Sequence, residues 1–389
     1  MKIPSLSPYR AGLVFSAVRL IPSSFSFIYL LGAGLSVADV SNARLIQILA
    51  LLVLEVPCGV LADRFSPRWS IFMAVLASAF WLGVMAVVDN LPTLIVAELL
   101  NAISLSLFSG SFEMLLRDTH QAKNPLANFG KAQALWIAVA SAFGALFASV
   151  VSRQAAWILA AAIQSLLFVI LWYDARRHRP TTPSAVEAIS FQGIVSLRVV
   201  FRTIQSLPVS LWITFTAPTL VLDILLQFWQ PIVVVFGIQS ENNLLLLLIS
   251  LAIMVAMSMG GALEEMPARC WVIPVSVALT PLLVITMLLT AGITRLAIAL
   301  VVISLLVILP TALRSRAAFQ ITRNVHGDAE VTAFSLVSAI SRVFSGLLIV
   351  IVGAFLSTAF SVALIFFALT GLIVVCCLCW AHLGMRNQN

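Results

Sequence analysis

The chain has 389 residues, of which 61% are hydrophobic and only 10% charged, with a mean hydropathy of +1.10. These values exclude a soluble globular domain and describe an all-α, polytopic membrane protein. The 22 Lys and Arg outnumber the 15 Asp and Glu, but they gather in loops on one side of the apolar runs, so the net charge of +7 implies no nucleic-acid partner.

The opening MKIPSLSPYR places Lys2 and Arg10 before an apolar run that contains Arg19. No small-residue cleavage site follows, so the run reads as a retained first span over 11–34. Further apolar runs, each long enough to cross roughly 30 Å of hydrocarbon as helix, lie at 42–62, 70–88, 92–117, 130–152 and 154–173. After a long connection, others follow at 207–236, 241–262, 271–290, 294–319, 331–356 and 359–382. Six and six make twelve transmembrane helices. The organisation expected is an amino-terminal bundle over 1–173, a cytoplasmic linker over 174–206 and a carboxy-terminal bundle over 207–389.

Between the second and third spans, EVPCGVLADRFSPRW (55–69) packs charge between apolar runs and reads as a short, tight loop at a membrane face. Gly59 and Ala62 permit close helix approach, Asp63 is placed to cap the next turn, and Arg64 and Arg68 sit at headgroup level. Glu55 lies one turn before Gly59. Glu113 and Asp118, at the end of the fourth span, match this loop in depth, and a latch to Arg64, Arg68 or Arg117 would close that side.

Seventeen basic residues fall on the side of both termini and the long connection, against Arg44, Arg153 and Arg295 on the other. The positive-inside rule therefore places both termini in the cytoplasm, as in a bacterial inner-membrane protein. The long connection opens with the polar DARRHRPTTP. Its continuation alternates Phe191, Ile194, Val195 and Phe201 with Arg198 and Arg202, the pattern of a helix lying on the cytoplasmic leaflet or of a tether. Shifting the Gly59 loop by 201 positions sets Gly59, Asp63 and Arg68 against Gly260, Glu264 and Arg269, as two homologous halves would.

Ionisable side chains inside spans cost at least about 2.5–3.5 kcal/mol and need partners or a wet cavity. Arg19, Glu55, Glu98, Glu113, Asp223 and Arg342 are in this position. Helical spacing sets Arg19, Ser23 and Ser26 on one face of span one, and Thr216, Asp223, Gln227 and Gln230 on one face of span seven. Glu98, Asn101 and Ser109 align in span four, and Ser335, Ser338 and Arg342 in span eleven, whereas spans three, six and twelve carry almost no polar stripe and are expected to face lipid. The inward stripes define a substrate cavity of Arg19, Ser23, Ser26, Asn101, Thr216, Asp223, Gln227 and Gln230. An Arg19–Asp223 ion pair is one reading of the two mid-span charges; helix packing alone is the other. Phe25, Phe27, Tyr29, Trp136, Phe228 and Trp229 suit either an amphiphilic guest or packing.

Cys58, Cys270, Cys376, Cys377 and Cys379 have no His or carboxylate at metal spacing and read as buried apolar thiols, with no metal or cofactor implied. No nucleophile–base pair or phosphate loop is present, since His120, His178, His326 and His382 lie at loops or span ends. An enzyme and an ATP-driven pump are both disfavoured.

Gly59, Asp63, Arg64 and Arg68 resemble the loop of the major facilitator superfamily between its spans two and three, G-x-x-x-D-R-x-G-R-[KR], with Ser66 and Pro67 departing from it. Glu55, Pro57 and Gly59, with SGSFEMLLRD (109–118), FWQPIVVVFGI (228–238) and DAEVTAFSLVSAISR (328–342), look closest to a bacterial branch of proton-coupled exporters. The resemblance implies the major facilitator fold, two six-helix bundles rocking around a midplane site, acting on a small-molecule substrate as a monomer. Two functions follow as expectations. One is export of a small amphiphilic compound by proton antiport, with Asp223 or Glu98 accepting the proton and Arg19 and Arg342 as their partners. The other is symport of an anionic metabolite held by the intramembrane arginines.

Overall fold

A computed structural model of the chain describes residues 7–65, 67–119, 125–177, 208–235, 243–262, 292–324, 330–356 and 359–386. Among these residues the fold is entirely helical. The elements are α1 (Pro8–Arg19), α2 (Ser26–Gly32), α3 (Val37–Phe65), α4 (Pro67–Met85), α5 (Leu91–Thr119), α6 (Pro125–Val150) and α7 (Arg153–Arg177), then α8 (Val209–Val235), α9 (Asn243–Ala262), α10 (Gly292–Asn324), α11 (Glu330–Phe355) and α12 (Ala359–Arg386). Within the described residues six helices are long and apolar enough to cross a membrane, and four shorter apolar stretches accompany them in α9 to α12. Eleven of the expected spans coincide with these helices, α1 and α2 together making the first. The ninth, 271–290, lies outside the described residues, as do the linker from 178 to 207 and the repeat positions Glu264 and Arg269. The chain divides into two units, 1–180 with 239–251 and 181–238 with 252–389, so the first half of α9 groups with the amino-terminal helices.

Two boundaries differ from the sequence reading. The segment 55–69 is not a loop: α3 runs through Gly59, Asp63 and Arg64 to Phe65, and α4 begins at Pro67. Nothing between Gly59 and Phe65 interrupts the i→i−4 ladder, and proline at a helix start loses no bond it would have made. Asp63 is therefore inside a helix and not at the start of the next one. Likewise Asp174–Arg177, read as linker, continue α7.

In the first unit, the helix starts that the sequence assigns to the extracytoplasmic side are capped by short polar side chains. Ser36 Oγ accepts from Asp39 N (3.1 Å) while Asp39 Oδ2 accepts from Ser36 N (2.9 Å), a reciprocal box at the start of α3. Asn90 Oδ1 accepts from Thr93 N (2.9 Å) ahead of α5, and Ser152 Oγ from Ala155 N (3.0 Å) ahead of α7.

α4 packs on α5 and α7, α5 also on α3, and α1 on α6 and α7. Lipid tails are as apolar as leucine, so close packing and interhelical hydrogen bonds must hold such helices together. The α4–α5 seam supplies both: Ala74, Ala97 and Ala102 are fully buried, Ser70 Oγ donates to the Leu107 carbonyl and Ser104 Oγ to the Ala74 carbonyl, each at 2.8 Å. Half of α4's apolar window is buried. Only one face, that of the exposed Phe80, is left for lipid, because Ser70, Ala74 and Ser78, spaced four apart, form an inward stripe. A run of rings, Phe15–Phe108–Phe112–Phe129–Tyr9, with centroids 4.1 to 5.6 Å apart, ties α1, α5 and α6.

In the second unit α8 is the central helix, packed on α10, α11 and α12. It contains Pro218, which has no N–H to give the Thr214 carbonyl. Cys376 of α12 supplies a donor instead, its Sγ lying 3.6 Å from that oxygen. In hydrocarbon a lone carbonyl costs several kcal/mol, so a thiol donor from a neighbour is how a proline persists in such a helix. Cys58 and Cys376 are buried and Cys377 half-buried, all with free thiols.

Candidate functional site

The first span is broken. Pro22 cannot donate to the Val18 carbonyl and its ring crowds that oxygen, so α1 stops at Arg19. The chain turns through Leu20–Phe25 by i→i−3 bonds: Leu20 N to Ala17 O (3.0 Å), Ile21 N to Val18 O (3.2 Å), Ser23 N to Leu20 O (3.1 Å) and Phe25 N to Pro22 O (3.2 Å). The break puts Arg19 at the negative end of the α1 dipole, where a cation is favoured.

Arg19 is buried, 8% exposed, and its donors are met from two other helices. Nη1 donates to Ser78 Oγ of α4 and to Ser104 Oγ of α5, both at 2.9 Å, and Nη2 donates to Asn101 Oδ1. The guanidinium also lies over Trp81, 4.5 Å from the ring centroid, and over Phe15, at 5.1 Å. Ser104 accepts from Arg19 and donates to the Ala74 carbonyl, so the α4–α5 seam fixes its hydroxyl.

Asn101 carries the arrangement onward. Its Nδ2 donates to Glu98 Oε2 (3.1 Å), one turn earlier on α5, and Glu98 Oε2 stands 4.0 Å from Arg44 Nη1 of α3. Arg44 Nη1 also donates to Gln47 Oε1. One carboxylate is thus placed between two arginines, reached directly by Arg44 and through an amide by Arg19. Close by, Ser23 Oγ in the broken segment donates to Ser141 Oγ of α6 (2.9 Å), and Ser26 opens α2 half-buried.

In the second unit Asp223 and Arg342 both act electrostatically on Arg314 of α10, whose guanidinium lies 6.0 Å from the Phe215 ring. Thr216 Oγ1 and Ser341 Oγ are 3.0 Å apart, Gln230 is buried, Gln227 half-buried and Arg342 exposed. Of the remaining predicted residues, Glu55 is half-buried on α3 and Arg68 exposed on α4. Gly59, Asp63, Arg64, Glu113 and Asp118 are helical, and their side chains lie outside the described residues.

Four contributors escape a reading by sequence. Ser78 and Ser104 are hidden as single serines in apolar runs, although Ser70–Ala74–Ser78 and Glu98–Asn101–Ser104 are helix-face spacings. Hydropathy assigns Arg44 to an external loop and Arg314 to the cytoplasmic set. Both stand well inside long helices, because α3 begins at Val37 and α10 continues to Asn324.

Helices of membrane-spanning length, a broken first span and ionisable groups held inside the spans define a polytopic membrane protein. The sequence profile of the Major Facilitator Superfamily matches residues 11–318, and the chain belongs to this family of secondary transporters, which bind small-molecule substrates within the membrane and are not enzymes. Similar solved structures include a bacterial homologue of the human lysosomal transporter Spinster (TM-score 0.72, 15% identity, 98% of this chain and 96% of that one). The nucleoside transporter NupG aligns with TM-score 0.67 at 14% identity, over 97% of this chain and 98% of its own. A D-xylose–proton symporter does so with TM-score 0.67 at 11% identity, over 96% and 95%. At these identities the likeness is one of fold. No curated protein matches the chain.

Proposed function

We propose that the chain is a proton-driven antiporter that exports a small amphiphilic organic compound, with Glu98 as its proton acceptor. The observation that carries this reading is the Arg19–Asn101–Glu98–Arg44 chain: a carboxylate two turns inside a span, with cations on both sides and a 13% exposed side chain. A carboxylate there is costly when charged and loses its partners' attraction when neutral, so its occupancy by a proton bears on how α1, α3 and α5 hold one another. Asp223, beside Arg314 and within the influence of Arg342, is the second acceptor in this reading. Ser23, Ser26 and Asn101 in the first unit, and Thr216, Gln227 and Gln230 in the second, are the polar side chains this reading assigns to substrate. The Glu55–Arg68 segment, with Glu113 and Asp118, is the cytoplasmic gate of two bundles, 1–173 and 207–389, that alternate access. The chain sits in the bacterial inner membrane with both termini cytoplasmic, by the asymmetry of its basic residues.

A second reading, symport of an anionic metabolite, is supported by the excess of guanidinium over carboxylate around Asp223. Both are tested with purified protein in proteoliposomes on a solid-supported membrane, challenged under an imposed pH gradient with amphiphilic organic cations and with small carboxylates. Currents evoked by the cations and lost in Glu98→Gln support export. Currents evoked by the carboxylates alone, and surviving in Glu98→Gln, support the second reading and sink the first.

A further inference from the structure

We propose that Arg44 is the positioning residue that governs proton occupancy of Glu98, a displaceable partner held ready by Gln47 while Arg19 stays fixed. The inference rests on Glu98 as the proton acceptor and adds the group that sets when it takes its proton.

Arg44 and Glu98 are each the eighth residue of their helices, in α3 (Val37–Phe65) and α5 (Leu91–Thr119). The two helices pack side by side, so the residues meet at equal depth. Their 4.0 Å separation is that of an ion pair without a hydrogen bond. A partly exposed pair of this kind adds little to stability, so its consequence lies in charge rather than in holding the fold.

The two arginines that act on Glu98 differ in what else holds them. Arg19 has acceptors on α4 and α5 and two aromatic faces. Its cage persists whether Glu98 is charged or neutral, because all three acceptors are uncharged. Arg44 has Gln47 Oε1, one turn along its own helix, and the Gln47 side chain is buried. When a proton from solvent binds a Glu98 oxygen, Arg44 loses its counter-charge but keeps this neutral acceptor. No other bond need form or break. The Arg44 side is also the more open side: its side chain is 39% exposed, against 13% for that of Glu98. The proton and the released guanidinium therefore share one side of Glu98.

The test needs no substrate. Full-length protein in lipid nanodiscs is titrated by infrared difference spectroscopy, and the carbonyl stretch of protonated Glu98 is identified as the band that Glu98→Gln removes. In Arg44→Gln its midpoint moves to higher pH by about one unit or more, the size expected for losing a unit charge 4.0 Å away. Arg44→Lys, which keeps the charge, brings the midpoint back towards wild type. The amide bands of the same spectra report that each variant is folded. An unmoved midpoint in Arg44→Gln, or a wild-type protein with no Glu98 band at any pH, overturns the proposal. Because the readout is independent of cargo, the first failure leaves the transport reading to be judged by its own currents.

Discussion

The backbone carbonyl of Ile21, in the turn that breaks the first span, occupies the space a Cβ on Gly144 of α6 would need. Gly12 stands in a similar relation to the ring of Phe112, but a ring can swing and a carbonyl fixed in a turn cannot. Alanine is favoured over glycine in a helix by about 1 kcal/mol, whereas overpacking costs about 1–3 kcal/mol. Gly144→Ala is therefore expected to lower the thermal midpoint of the purified protein more than Gly12→Ala does. Equal midpoints would show that α6 does not rest on this turn.

The Arg19 cage predicts an order among substitutions. Ser104→Ala removes an acceptor for Arg19 and a donor to Ala74, while Ser78→Ala removes an acceptor alone. Ser104→Ala should be the more destabilising by about 1 kcal/mol, read from denaturant or thermal unfolding.

At Arg19 itself the packing between Phe15 and Trp81 counts as well as the charge. Arg19→Met keeps the length of the stem and should retain more folded protein than Arg19→Ala, with a difference of about 1–3 kcal/mol. If alanine and methionine behave alike, the aromatic faces contribute nothing.

Ser23 Oγ and Ser141 Oγ are 2.9 Å apart, so sulfur atoms at these two positions would be near bonding distance. In a background cleared of the native cysteines, Ser23→Cys with Ser141→Cys is expected to cross-link on mild oxidation. A protease cut engineered between the two positions, followed by non-reducing electrophoresis, would reveal it. Failure to cross-link would mean that the turn and α6 do not meet there.

Orientation is checked by attaching reporters after Asn389. A green fluorescent protein should be fluorescent and an alkaline phosphatase inactive, as for a cytoplasmic end.

Much of this fold is written in hydropathy, because a span must be a continuous apolar helix and its ends are set by capping residues such as Ser36, Asn90 and Ser152. What escapes is what hydropathy does not encode. The Pro22 break is invisible in a run that stays apolar throughout, although proline three residues after Arg19 is a legible stop. Charge around Asp63 suggests a loop, but charge alone removes no backbone donor and α3 continues through it to Phe65. Arg44 is legible as a residue and not as a partner, since only the packing of α3 on α5 shows that it shares its depth with Glu98.

The broken first span has a consequence for how the protein is made. On insertion scales an arginine at mid-span costs about 2.5–3.5 kcal/mol, and the free carbonyls of an interrupted helix add to that in lipid. The acceptors that satisfy Arg19 belong to Ser78, Asn101 and Ser104, which leave the ribosome 59 to 85 residues later. Until α4 and α5 arrive, Arg19 has none of these acceptors, so the segment made first is among the last to be secured.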